Sequence, residues 1–331
     1  MVKFADLQKK GQKKKGEPDS SPVEKVMQQK DSPLDALDWY QRACKFLECC
    51  IEQVRNHDNL DVSEGERVVE EIALAYSQGS LPQELLIQAL HGESDSSFLV
   101  TNAVNVTVYA MLISSTLGLS RERQMQLGLA ALLHDIGKVR VPDEILHREE
   151  SLTEEKTEVF RKYPSDSFEI LNALGENYHY LAECGLQLNE RLDGSGYPQG
   201  LKNDEIDAYA QIIGLLDLYE SLTHDQPQRP KLTHFEAVKE IMKTQKKGFH
   251  REYLKALLNT FSLFPIHSLV QLNTGAIGRV IRTYMENPVR PKIEIVVDAQ
   301  KRRVASPRVI DLREQPILHV VEAVEAESLS S

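Results

Sequence analysis

Residues 131–138 read Ala-Leu-Leu-His-Asp-Ile-Gly-Lys, an apolar helical run that ends in an adjacent His134-Asp135 pair with Lys138 one turn beyond. Such an ending leaves two readings. In the first, imidazole and carboxylate ligate a divalent ion. Lys138, four residues after His134 and so on the same helical face, then meets a bound phosphate. That is a phosphohydrolase centre. In the second, His134 and Asp135 close a buried helix and Lys138 solvates its end. The dipeptide alone favours the second reading, so the rest of the chain must decide.

A chain of 331 residues suits two or three domains, and 41% hydrophobic residues are enough to bury a core. No apolar stretch approaches the ~20 residues that span a bilayer, and Met1–Lys15 is basic and polar without an apolar signal core. The expectation is a cytosolic protein. Cys44, Cys49, Cys50 and Cys184 have neither metal-finger nor disulfide spacing and read as reduced, mostly buried small hydrophobes. A net charge of -11 argues against DNA binding. The Lys9-Lys10 and Lys13-Lys14-Lys15 cluster lies in a polar tail, residues 1–30, with too little apolar surface to offset chain entropy. Its membrane adsorption would be weak and salt-sensitive.

Helical patterning starts at Ser32-Pro33-Leu34-Asp35, with Ser32 as N-cap, and Leu37, Tyr40, Cys44, Leu47, Ile51 and Val54 make one apolar stripe over about five turns. Ser63-Glu64-Gly65-Glu66 has a capping-box pattern opening a helix to about Ser77, and Ser80-Leu81-Pro82 opens a third. Residues 31–92 thus form a helical unit whose stripe packs within the chain, with dimerisation as the alternative. From residue 266 the texture becomes strand-like: Leu269–Leu272, Ile277–Ile281, Lys292–Val297 and Ile317–Val321 are β-rich runs. Asn273-Thr274-Gly275, Glu286-Asn287-Pro288 and Asp298–Lys301 carry turn chemistry between them. The fold class is mainly α: a helical bundle over 93–262 with a small β-rich extension over 263–331.

Two further blocks follow the His-Asp pair: Asn189-Glu190-Arg191-Leu192-Asp193-Gly194-Ser195-Gly196-Tyr197-Pro198, and Leu216-Asp217-Leu218-Tyr219-Glu220-Ser221-Leu222-Thr223. Taken alone, Asp193–Pro198 is a turn, with two glycines free to take positive φ and Asp193 able to cap it. Together the three blocks, with Val141–Leu146 and Leu201–Ile213, resemble the HD-GYP family of cyclic-di-GMP phosphodiesterases over about residues 95–260. The resemblance implies an HD-domain helical bundle holding iron or manganese ions that activate water for attack on a phosphodiester. It assigns His134, Asp135 and Asp217 to metal positions, and Lys138 with Asp135 to the catalytic step. Gly196 and Tyr197, with Arg191 and Arg229, become candidate nucleotide contacts. It also implies a cyclic-di-GMP ligand in bacterial signalling and a diguanylate cyclase-type protein partner. Read without it, Arg229 is equally a solvated loop arginine, and Glu190 and Asp193 either recruit a cation or pair with basic neighbours.

Several family ligand positions carry other residues here. Asn102 stands where the family has a helix histidine, Tyr163-Pro164 replaces its His-Pro, and Leu188-Asn189 replaces its His-His. Leucine coordinates nothing, amide oxygens compensate little charge, and tyrosine would have to ionise from a pKa near 10. A one-ion site from His134, Asp135 and Asp217, with Asn102 as a fourth oxygen, remains; a two-ion site does not. The expectation is therefore a catalytically deficient relative that binds nucleotide or a partner. An active phosphodiesterase and a non-binding scaffold are the alternatives. His147, His224, His234 and His250 fall at no ligand position, and of these His224, seven residues after Asp217, is nearest the centre in sequence.

Overall fold

The computed structural model describes residues 34–77, 83–91, 96–146, 152–226, 229–261, 268–284, 287 and 289–324. The tail expected over 1–30, the Ser32-Pro33 and Ser80-Leu81-Pro82 helix starts, and His147 lie outside these residues.

Helix α1 (Ala36–Arg55) is opened by Asp35, whose carboxylate accepts the Asp38 N–H at 2.9 Å. Its buried face runs through Trp39, Tyr40, Ala43, Phe46, Leu47, Cys50 and Val54, while Leu37 is 60% exposed. The expected stripe is thus largely buried, with Cys44 among it and Leu37 left outside, and Trp39, Ala43, Phe46 and Cys50 widen the face. Trp39 donates its indole N–H to the Val68 carbonyl of α2 (Ser63–Ser77) at 2.9 Å, so the stripe packs within the chain. Helix α2 is capped from outside its first residue: Asp61 accepts both the N–H and the hydroxyl of Ser63. The expected Ser63–Glu66 capping box does not form, because Ser63 is already helical and its hydroxyl is donating.

Beyond α3 (Gln83–His91), α4 (Phe98–Thr116) is the central pillar. Contrary to the expectation that no apolar stretch is long enough, α4 has the length and hydropathy to cross a membrane; 78% of that window is buried inside the protein. Around it stand α1, α2, α3, α5 (Arg121–Leu133), α10 (Ala208–Thr223) and α12 (Arg251–Thr260). The short α6 (Asp143–Leu146) and α7 (Glu154–Phe160) lead to α8 (Tyr163–Asn172), which packs on α9 (His179–Gln187); α11 (His234–Thr244) flanks α10.

The C-terminal sheet is antiparallel throughout, in the order β4-β3-β2-β1-β5. Strands β1 (Leu269–Leu272), β2 (Ile277–Arg282) and β3 (Lys292–Val297) match the apolar runs, with Gly275 at φ 83° in the first turn. Two edges differ. Strand β4 (Arg303–Asp311) has no apolar run and contains Pro307, which an edge strand tolerates because one row of its N–H groups needs no partner. Strand β5 (Val320–Val324) begins three residues after the expected Ile317, whose side chain is 84% exposed. Val270, Val280, Ile293 and Leu312 of this region join the same apolar core as the bundle.

Candidate active site

Helix α5 stops at Leu133, and His134 and Asp135 sit in the turn before a 3-10 segment, Ile136–Arg140. Lys138 therefore does not share a helical face with His134 as an unbroken α-helix would require. In a 3-10 turn residues three apart eclipse, so its ammonium meets the Asp135 Oδ2. Gly137 makes this turn fit: a Cβ there would collide with the Tyr163 carbonyl and Ser167 N–H of α8. Ser167 Oγ accepts the Gly137 N–H at 3.0 Å.

The His134 ring is buried, and its Nδ1 lies 2.6 Å from the Ala131 carbonyl, which turns Nε2 inward. Nε2 stands 3.3 Å from Asp135 Oδ2 and 3.7 Å from Asp217 Oδ1 of α10. The donor atoms of His134, Asp135 and Asp217 all lie within 4.8 Å of one another, the spacing of a candidate metal triad. His134 Nε2 and Asp135 Oδ1 are buried atoms without a well-formed hydrogen bond among the described residues. Orphans of this kind mark a place for a ligand, so these residues fit one divalent ion.

The charges of these side chains shift one another's protonation. Burial alone would lower the His134 pKa, but Asp135 and Asp217 overcome it and push it up to about 10. Burial works against ionised Asp135, yet Lys138 and the His134 imidazolium hold it well below the usual carboxylate range. Asp217, also opposed by burial, is lowered by its contact with His134. Lys138, in turn, is raised by Asp135 and Asp217 against its own desolvation.

The substituted ligand positions are occupied by bonds of their own. Tyr163 is buried, its hydroxyl accepts from Asn189 Nδ2 at 2.6 Å, and burial drives its pKa well above the ordinary value, away from the phenolate a ligand would need. Leu188 is part of the apolar core. Asn102 turns its nitrogen to the carboxylates, with Nδ2 donating to Asp217 Oδ1 at 3.0 Å and to Glu220 Oε2 at 2.6 Å, and its Oδ1 is a third buried atom without a hydrogen-bond partner among the described residues. Turning the amide over would set its oxygen against two carboxylates.

The glycine loop stands beside this centre. Asp193 accepts the Ser195 N–H and hydroxyl, the turn cap expected from sequence. Glu190 makes no ion pair with Arg191 among the described residues; buried, it accepts backbone N–H groups of Gln199, Gly200 and Leu201 at 2.6, 3.1 and 3.0 Å. Gly196 is pressed on the 189–191 backbone, where a Cβ would meet Glu190 Cα. Tyr197 is half-buried, close enough to Lys138 to raise its pKa, with the Arg161 guanidinium 5.1 Å over its ring. Arg191 is within electrostatic reach of the triad: burial lowers its pKa and Asp217 opposes that shift. Arg191 donates to the Leu188 and Glu190 carbonyls and lies over Phe249. Arg229 donates to the Ser221 and Leu222 carbonyls and so closes the end of α10. His224 contacts Glu220, not the triad, and His234 bonds the Tyr219 hydroxyl.

A family model described as an HD domain matches residues 80–252, more than half of the chain. The chain belongs to the HD-domain family, in its HD-GYP branch. A second model, a KOW domain associated with HD domain, covers residues 269–331 of this HD-GYP protein, the region of the sheet. Cyclic di-GMP phosphodiesterase PdeB of Borreliella burgdorferi is 29% identical over 220 residues, 66% of this chain and 56% of the relative. The 3'3'-cGAMP-specific phosphodiesterase 1 of Vibrio cholerae is 34% identical over 142 residues, 43% of this chain and 32% of its own. The chain thus spans about half the length of PdeB. Among solved structures, Bd1817, an HDG"Y"P protein from Bdellovibrio bacteriovorus, superposes with a TM-score of 0.55 at 17% identity over 71% of this chain and 75% of that chain. The HD-type bundle with its small sheet is the fold expected from sequence.

Sequence reasoning missed Glu220 and Asn105. Asn105 Nδ2 donates to Glu220 Oε1 at 2.9 Å, so one buried carboxylate gathers both asparagines of α4. The signal was present: Asn102 and Asn105 are polar residues three apart in an otherwise apolar helix, and Asp217 and Glu220 repeat that spacing on α10.

Proposed function

We propose that this HD-GYP protein is a cyclic-dinucleotide-binding member of its branch with a hydrolytically deficient centre. The observation that carries the reading is the set of bonds occupying the ligand positions: Lys138 on Asp135, the Asn102 amide on Asp217, and Asn189 on Tyr163. Ammonium and amide donors stand against the carboxylates, so positive charge is supplied by side chains. The nucleotide reading draws on the names of its relatives, phosphodiesterases of cyclic di-GMP and of 3'3'-cGAMP.

An ion bound at His134, Asp135 and Asp217 would supply water activation. The chain's own residues do the rest. Lys138, 16% exposed beside the partly exposed Asp217, presents an ammonium to an arriving phosphate. Tyr197 offers a ring edge on the loop that Glu190 holds rigid. The exposed tip of that loop, Asp193, Ser195, Pro198 and Gln199, is the surface offered to a protein partner such as a diguanylate cyclase domain. The protein is proposed to act in the cytoplasm, where these nucleotides are made.

The test is an anaerobic preparation assayed for iron and manganese and then incubated with cyclic-di-GMP and 3'3'-cGAMP. The expected result is at most one ion per chain and saturable nucleotide binding without linear product. Two ions per chain with turnover abolished by His134→Ala would establish the active phosphodiesterase instead. Absence of both binding and turnover would leave the scaffold.

A further inference from the structure

A buried chain of side-chain hydrogen bonds joins the N-terminal helix to the candidate centre. The Tyr40 hydroxyl of α1 donates to Asn105 Oδ1 at 2.8 Å; Asn105 Nδ2 donates to Glu220 Oε1 at 2.9 Å; Glu220 Oε2 accepts from Asn102 Nδ2 at 2.6 Å; and the same Nδ2 donates to Asp217 Oδ1 at 3.0 Å. Tyr40, Asn102, Asn105 and Glu220 are each no more than 4% exposed. His224 completes the surroundings of Glu220, with Nδ1 3.3 Å from Oε1.

We infer that Glu220 is a positioning residue, which fixes Asp217 through Asn102 and, through Asn105 and Tyr40, ties the placement of Asp217 to the seating of α1. The geometry leaves little freedom. Each oxygen of Glu220 takes one asparagine, and both asparagines sit on consecutive turns of α4, so a shift of the carboxylate moves both amides. Among the described residues, Asn102 is the side chain hydrogen-bonded to both Glu220 and Asp217. Water cannot readily replace a missing link here, because the groups are buried and closely packed. Helix α1 also packs on the Ile136–Arg140 segment, but the relay gives it a separate hydrogen-bonded route to Asp217, along which a displacement of α1 is felt.

The inference concerns the metal-free chain and stands or falls separately from nucleotide binding. The test uses full-length protein labelled with ¹⁵N-histidine, in chelator, with the His134 imidazole signals identified through His134→Gln. Tyr40→Phe removes one hydroxyl from the far end of the chain and keeps the ring. Tyr109→Phe is the control, since Tyr109 is equally buried but its hydroxyl donates to the Ala89 carbonyl, outside the relay. Glu220→Gln places an amide donor opposite one of two asparagine donors. The expected result is a clear displacement of the His134 signals in Tyr40→Phe, a larger one in Glu220→Gln, and none in Tyr109→Phe. Unchanged His134 signals in Tyr40→Phe would overturn the inference, as would equal displacement in Tyr40→Phe and Tyr109→Phe. The Tyr40 comparison decides the matter even where Glu220→Gln does not fold.

Discussion

His134 carries a pKa near 10 because two carboxylates outweigh its burial, and this has a testable sign. A folded-state pKa above the unfolded value of about 6.5 gives stability that is complete below pH ~6.5 and is lost as pH rises through 10. In chelator, the urea midpoint of the wild type is expected to fall between pH 7 and 10. His134→Gln is expected to remove that component of the slope. Lys138 is the second informative residue, since its ammonium is the counter-charge of Asp135. Breaking a pair of this kind by Lys138→Met is expected to destabilise the metal-free protein by about 3 kcal/mol, read from urea unfolding. The same substitution frees Asp135 Oδ2 and leaves the triad more negative. Mn²⁺ titration is therefore expected to give binding at least ~10-fold tighter than wild type, a result opposite to that of a simply misfolded site.

The loop after α9 shows what an element adds to its residues. Glu190 holds Gln199, Gly200 and Leu201 by their backbone N–H groups, and Gly196 lets the loop lie against the 189–191 backbone. Glu190→Gln loses charge on three acceptor bonds and sets an NH₂ against one donor. It is expected to cost about 2 to 4 kcal/mol in urea unfolding and to speed amide exchange at residues 199–201. A loss of stability with those amides still protected would contradict the assigned role. The broken end of α5 makes the same point: a 3-10 turn, with Gly137 against α8, brings Lys138 to Asp135.

At the scale of the molecule, one apolar core runs from α1 to the sheet, and α4 is its axis. Three of the four cysteines are buried within it and Cys49 is exposed; burial pushes Cys50 up to about 12. A thiol reagent is expected to titrate one fast cysteine per native chain and four after unfolding. Fast reaction at Cys44 or Cys50 would contradict the seating of α1. The lone tryptophan, Trp39, is fully buried and bonded to α2, so its emission reports the same docking.

The blocks around His134, Asp193 and Asp217 were legible as a set because each needs particular residue types at fixed local spacing, and spacing survives in sequence. The strands β1 to β3 and the Asp193 turn were legible for the same reason: alternation and turn chemistry are local. Strand β4 was hidden because an edge strand is selected by its neighbour, not by its own apolar pattern. Which nitrogen or oxygen of Asn102 faces Asp217, that Lys138 answers Asp135, and that Arg229 closes a helix were settled only by packing. The Asn102 contacts join residues more than a hundred apart, and the other two, though local in sequence, depend on a helix end and a turn that the neighbouring helices fix, where a buried polar atom must take whichever partner the fold supplies. The chain's local order determined which residues form a centre; the surrounding helices decided how their charges are matched.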